Sequence, residues 1–172
     1  MEFYELIRNR ESIRAYDTNR PVEHEKLLRI LDAGRLAPSA ANRQPWKFLV
    51  ISSPEMLEKV RACYHRQWFK DAPHILVVVG DENAAWVRSY DRYNSIETDL
   101  SIAMDHLILA AENEGIGTCW IAAFDPLILR NALNLHNNEK VFAITPLGYQ
   151  PKGFVKNREK IRNEIEEIVY FL

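Results

Sequence analysis

Three clusters in the sequence carry side chains able to hold a ligand. RESIR, Arg10 to Arg14, places two guanidinium groups and a hydroxyl directly after a short amphipathic stretch. In an extended segment side chains alternate faces, so Arg10, Ser12 and Arg14 would point the same way. Two fork donors and a hydroxyl on one side suit a phosphate, or any ligand with several acceptor oxygens. A solvated basic turn has the same composition, so both readings stand at this level. Lys156 and Arg158 form a second basic group near the other end of the chain. If the fold brings the two groups together, one phosphate would be held from both ends.

The third cluster is APSAANRQPW, Ala37 to Trp46, which has neither helical nor strand periodicity. Its prolines fix its course, and Ser39, Ala40 and Ala41 are small enough for close approach. Asn42 and Gln44 carry amides that donate and accept at once. Those are the properties of a wall against a flat, polar-edged ring.

Other chemistries lack their residues. EGIGTCW has Gly115 and Gly117 at the start of a GxGxxG pattern, but Trp120 stands where the third glycine belongs. That stretch also follows a helical pattern, whereas the dinucleotide fingerprint follows a strand. Gly148 and Gly153 have P-loop spacing, yet Phe154 and Val155 replace the Lys and Ser/Thr that would hold phosphate and magnesium. The five histidines are scattered with no HExxH, so no metal site is expected. His106 lies in an apolar helical pattern and reads as a hydrogen-bonded core histidine. GxSxG is absent.

The elements that must position these clusters follow from periodicity. Phe3, Leu6 and Ile7 make a short amphipathic helical start, and residues 23–36 carry Leu27, Leu28, Ile30 and Leu31 at helical spacing up to Pro38. WKFLVI (46–51) reads as a strand. Ser53 and Pro54 then cap a helix running to about Tyr64. HILVVVG (74–80) reads as a buried strand, and AWVRSYDR as one or two helical turns. Residues 96–114 have an apolar face wide enough for a central helix, stopped by Gly115. TCWIAAF (118–124) reads as a strand, Asp125 and Pro126 start a helix through Leu133, and VFAITPLGY as a strand ending at Gly148. Taken alone, this alternation of strands and helices favours a parallel α/β sheet.

The chain has 172 residues, 47% hydrophobic and 27% charged, with a formal net charge of -2. That suits one globular domain, 1–172, and carries no polyanion-binding footprint, so nucleic acid is not an expected partner. No uncharged run approaches the roughly 18 residues needed to span a bilayer. Cys63 and Cys119, far apart and without a CxxC partner, fit free thiols in a cytoplasmic protein.

RESIR, then APSAANRQPWKF, then a long helix leading into EGIGTCWIAAFD, then PLGY and a basic tail, together resemble the nitroreductase family of FMN-dependent oxidoreductases. The resemblance runs in order from about residue 2 to residue 160. It implies an α+β fold with a mainly antiparallel sheet flanked by helices, which replaces the parallel reading. It also implies an intertwined homodimer with FMN at the interface, in which 153–172 forms a C-terminal arm reaching the partner.

By position, Arg10, Ser12 and Arg14 resemble the family's FMN clamp, with Arg14 at the N1 and C2 oxygen edge, and Lys156 and Arg158 complete the phosphate site. Pro38, Ser39, Ala40, Asn42 and Gln44 match a loop laid against the partner's flavin, where many relatives carry serine at the position of Ala40. Gln67 matches a residue at the pyrimidine edge. Trp120, Ile121, Ala122 and Ala123 follow the strand passing flavin N5. The implied activity is ping-pong hydride transfer from NADH or NADPH to a nitroaromatic or quinone, with no protein nucleophile. The alternatives are a specialised family chemistry such as reductive dehalogenation, or an FMN-binding protein that stores or senses without turnover.

Overall fold

The computed structural model describes residues 1–156 and 160–172. Its helices are α1 (Phe3–Asn9), α2 (His24–Arg35), α3 (Pro54–Arg61), α4 (Gln67–Asp71), α5 (Ile96–Asn113), α6 (Pro126–Leu133) and α7 (Ile165–Ile168). Three strands, β1 (Trp46–Ile51), β2 (His74–Asp81) and β3 (Glu139–Leu147), form one sheet in the order β1-β2-β3. Every pairing is antiparallel. Trp46 lies opposite Gly80 and Ile51 opposite Ile75; His74 lies opposite Leu147 and Asp81 opposite Glu139, with a register shift between Val78 and Val79.

The antiparallel sheet overturns the parallel reading of the alternating elements, and the connections explain why. A single crossover helix would carry the chain to the opposite end of the sheet, but α3 has 8 residues, about 12 Å, against about 20 Å for a six-residue strand. The chain stops at Arg61, turns through α4 and re-enters the sheet at the end it left. The expected helix to about Tyr64 thus ends at Arg61, and α4 is a further short helix beyond it. Between β2 and β3, α5 and α6 make a second return journey.

β2 is buried on both faces, as its unbroken β-branched run demands. Leu76 and Val78 join Leu27, Ile30, Leu100, Met104 and Leu107 from α2 and α5. Ile75, Val77 and Val79 join Leu57, Val60 and Leu129 from α3 and α6. Helix starts behave as their residues require. Ser53 accepts from Met56 N at 3.4 Å, and Asp125 accepts from Leu127 N at 2.9 Å and Ile128 N at 3.2 Å.

Two local expectations fail. AWVRSYDR is a turn, with Val87 bridged to Asn94, Arg88 N donating to Tyr93 O at 2.8 Å and Arg92 at φ 63, a left-handed step that no helix continues. Residues 118–124 form no continuous strand. Gly117, Thr118 and Ile121 make single bridges to Gly148, Ser12 and Ile144, because the segment threads between two neighbours before turning to Asp125. The expected amphipathic start forms as α1, which buries none of its residues in this chain and leaves Phe3, Tyr4 and Ile7 exposed. Among the described residues no helix is long and apolar enough to cross a membrane.

His74 pins the chain entering α2 to the start of β2. Val22 N donates to its Nε2 at 3.0 Å, so the neutral ring keeps its proton on Nδ1, where it meets Ser52 Oγ at 2.7 Å. Burial pushes this imidazole below its ordinary value. As pH falls, the unfolded chain therefore takes up the proton first. The stability linked to His74 is complete above the unfolded value of about 6.5 and is lost as pH falls from there toward the folded value. Thermal stability is expected to fall as pH drops from 7.5 to 5, and His74→Ala is expected to lower stability at pH 7.5 while flattening that dependence.

Candidate functional site

α1 ends where Arg10 N donates to Leu6 O at 2.9 Å and its own ψ opens to 126°. The extended chain then docks on residues 117–118. Ser12 bridges Thr118 in parallel sense, and Ile13 N donates to Thr118 O at 2.7 Å. Ile13 is fully buried and Tyr16 O–H donates to its carbonyl at 2.7 Å. Burial raises the Tyr16 hydroxyl well above the usual phenol range, which keeps it a donor. With Ile13 inward, alternation sends Ser12 and Arg14 outward, Ser12 half-buried and Arg14 exposed.

The glycines that imitate a phosphate motif are structural. Gly115 takes φ 74 at the end of α5. A Cβ on Gly117 would lie 2.9 Å from Ile13 Cγ2, so only glycine lets the RESIR segment close on this edge.

The two ends of the chain meet at this point. Lys160 Nζ donates to Arg10 O, and at 3.4 Å to Ile7 O. Lys156 Nζ donates to Asn9 O at 3.2 Å and to Glu112 Oε1, a buried carboxylate on α5. Glu112 therefore balances the charge of Lys156. The cation seated at Arg10 is Lys160, which sequence reasoning missed even though Lys160 and Arg162 repeat the spacing of Lys156 and Arg158. Burial first, then the nearby Arg10, lowers the Lys160 ammonium from its ordinary value. Arg158 lies outside the described residues.

Gln67 begins α4, exposed, with its Nε2 on Asp71 Oδ1 at 2.8 Å. The next residue, Trp68, packs against the cluster of Ile13, Tyr16 and Ala72, so α4 belongs to the same end of the molecule. Trp120 is half-buried, edge-to-face with Phe142 at 5.7 Å. Ile121 is held to Ile144 by bonds of 2.9 and 3.1 Å. Ala122 and Ala123 are exposed, and among the described residues their N–H groups have no acceptor.

The loop 38–44 is elsewhere. Ala41, Asn42 and Gln44 all take φ near 50°, at 50, 53 and 49. For Ala and Gln such a conformation costs of order 1 kcal/mol each, and it persists only where the surroundings over-determine it. Ala40 N donates to Asp99 Oδ1 at 2.8 Å, and Ser95 Oγ donates to Asp99 Oδ2 at 2.8 Å. Asp99 is 1% exposed, in the first turn of α5. Sequence reasoning missed it; the signal was an acid on the buried stripe of Ile96, Leu100 and Ala103.

The structure therefore gathers RESIR, residues 117–118, α4 and the tail cations Lys156 and Lys160 near the C-terminal end of α5, runs residues 119–123 past Ile144 partway along β3, and leaves Pro38, Ser39, Ala40, Asn42 and Gln44 at the N-terminal end of α5. From Asp99 to Glu112 the helix rises about 20 Å. Among the described residues no group of three or more His, Cys, Asp or Glu could hold a metal. Cys63 and Cys119 are free and buried.

The architecture is of the α+β class, with its candidate ligand groups divided between the ends of one long helix. The nitroreductase family description matches residues 7–68 and 56–149, and the chain belongs to that family of oxidoreductases, which work with flavin and NAD(P)H-type cofactors. It is 35% identical over 153 residues to a protein of Archaeoglobus fulgidus provisionally named an NADH dehydrogenase/NAD(P)H nitroreductase, covering 86% of this chain and 85% of that one. A solved nitroreductase family protein of Clostridium difficile 630 superposes with TM-score 0.91 at 34% identity, over 99% of this chain and 98% of the other. The chain is also 28% identical to iodotyrosine deiodinase 1 of Rattus norvegicus over 184 residues, 88% of this chain and 63% of the relative.

Two substitutions separate the supports of the first cluster. Gly117→Ala forces Ile13 to shift; it is expected to cost about 1–3 kcal/mol in chemical denaturation and to raise amide exchange at Ile13. Lys156→Met leaves the Glu112 carboxylate buried without its cation and is expected to lower the unfolding midpoint, an effect that the further change Glu112→Gln recovers.

Proposed function

We propose that this protein is an FMN-dependent NAD(P)H oxidoreductase acting as a homodimer, each site built from RESIR of one protomer and the 38–44 loop of its partner. The observation that carries this reading is the division of ligand-capable groups between the two ends of α5. Groups about 20 Å apart along one helix do not line the same ring. Two copies placed with one's loop against the other's clamp complete both sites.

The residues present fit the cofactor. Arg10, Ser12 and Lys160, with the clamp cations Lys156 and Arg158 expected from the sequence, supply donors and positive charge for a phosphate. Arg14, exposed and on the same face as Ser12, is free to bring a fixed cation to the pyrimidine edge of the ring. Gln67 offers that edge an amide. The unpaired N–H groups of Ala122 and Ala123 are donors for a ring nitrogen, and their small side chains admit the ring. Ser39, Asn42 and Gln44 close the opposite wall and exclude water. When bound, FMN supplies hydride acceptance and donation at N5, taking hydride from NADH or NADPH and passing it to an electrophile such as a nitroaromatic or quinone. The protein's part is position and charge, with Arg14 stabilising negative charge as it develops.

The exposed apolar residues support the dimer. Phe3 and Tyr4 of α1 and Ile165, Ile168 and Phe171 of the tail stand 58 to 98% exposed, more apolar surface than an isolated domain usually leaves in water. The tail, 153–172, is the arm we assign to the partner. Likeness to the deiodinase favours a second reading, reductive dehalogenation at the same site; release of iodide from iodotyrosine by the reduced enzyme distinguishes it.

The purified protein is expected to be yellow, to bleach with NADH or NADPH and to recolour with a quinone. Arg10→Ala and Lys160→Ala are each expected to weaken FMN roughly 10- to 100-fold, the loss of one charge-assisted contact. Arg14→Ala is expected both to weaken FMN and to slow its reduction in stopped flow. Unchanged FMN affinity in all three variants rejects the clamp.

A further inference from the structure

We propose that Asp99 is a positioning residue for the flavin site: without touching the ligand, it sets the 38–44 wall. The inference rests on the reading that this wall lines the partner's FMN.

The loop is tied internally by Asn42 N to Ser39 O at 3.0 Å, Arg43 N to Ala40 O at 3.1 Å and Gln44 N to Ser39 Oγ at 2.9 Å. Among the described residues, the Ala40 N–H to Asp99 bond is the one hydrogen bond joining residues 38–44 to the rest of the chain. Three left-handed residues follow within four positions, so the placement of Ala40 decides where the amides of Asn42 and Gln44 point. A loop under that strain relaxes if its tether is cut.

Asp99 is equipped to hold. One oxygen takes Ala40 N–H and the other takes Ser95 O–H, each at 2.8 Å. The first turn of α5 favours the negative charge through its unpaired amides. Ser95, 2% exposed, donates its own N–H to Trp86 O at 2.9 Å. A continuous chain of bonds thus runs from the 86–94 turn through Ser95 and Asp99 to Ala40. It fixes the spacing between the loop and the turn that carries Tyr90, which is 95% exposed.

Two variants cut the tether from opposite sides. Asp99→Leu removes both acceptors. Ala40→Pro removes only the donor, and Ser39, at φ -140 and ψ 158, already has the conformation a residue before proline requires. Asp99→Asn keeps an acceptor for Ala40 N and a donor for Ser95 Oγ. On the purified FMN-loaded protein, Asp99→Leu and Ala40→Pro are expected to weaken FMN by roughly tenfold and to shift the flavin absorbance, with Asp99→Asn restoring both. A lowered unfolding temperature in Asp99→Leu, with FMN affinity and absorbance unchanged in it and in Ala40→Pro, overturns the inference. Asn42→Ala separates this from failure of the underlying reading. If Asn42→Ala alters FMN binding and the two tether variants do not, the positioning role is wrong and the site stands. If none of the three alters it while Arg10→Ala does, the loop does not line the flavin and both are wrong.

Discussion

The constraint on which the rest depends is the packing of α5. It lies under the sheet, against α2 and α1, with Leu100, Ala103, Met104, Leu107 and Ala111 all but sealed from water. A helix so enclosed cannot shift without opening the core. It also carries two buried acids, Asp99 near its start and Glu112 near its end, at 1% and 8% exposure. Burying a carboxylate is costly unless it is bonded, so each acid must recruit partners. Asp99 recruits Ala40 and Ser95; Glu112 recruits Lys156, and through Lys156 the end of α1. The rigid helix is thus a ruler whose ends organise the two half-sites of the proposed enzyme.

Much of this was legible in the residues. The largely apolar runs of 46–51 and 74–80, and the cap signals at Ser53 and Asp125, match β1, β2 and the starts of α3 and α6. Strand direction was not legible, because it depends on whether a connection crosses the sheet or returns, and periodicity is the same either way. The family resemblance supplied that answer. Side-chain alternation set Ser12 and Arg14 on one face, opposite the buried Ile13, yet nothing local marked Thr118 as the residue that Ser12 bridges.

Long-range polar contacts were the least legible. Asp99 to Ala40 spans 59 positions and Lys160 to Arg10 spans 150, and neither leaves a trace in local pattern. The same applies to Gly117, which in the sequence looks like half a nucleotide motif. Its role appears only when Ile13, more than a hundred residues away, is laid across it. Such residues are set by the close approach of distant segments, where spacing in the chain carries no information.

The interior titratable groups bear on what kind of chemistry the scaffold supports. Burial pushes the Cys63 thiol up to about 12 and the Tyr16 hydroxyl well above the phenol range, and pushes His74 down. All three shifts favour the uncharged form, so none of these groups is an anionic nucleophile or a charged acid at neutral pH. Tyr16 and His74 instead spend their polar atoms on Ile13 O, Val22 N and Ser52, each fixing a segment that borders the core. Arg14 is left outward, in the segment beside the C-terminal end of α5. A protein arranged this way offers position and electrostatics while leaving bond-making to a bound cofactor, which is the division of labour expected of a flavin-dependent oxidoreductase.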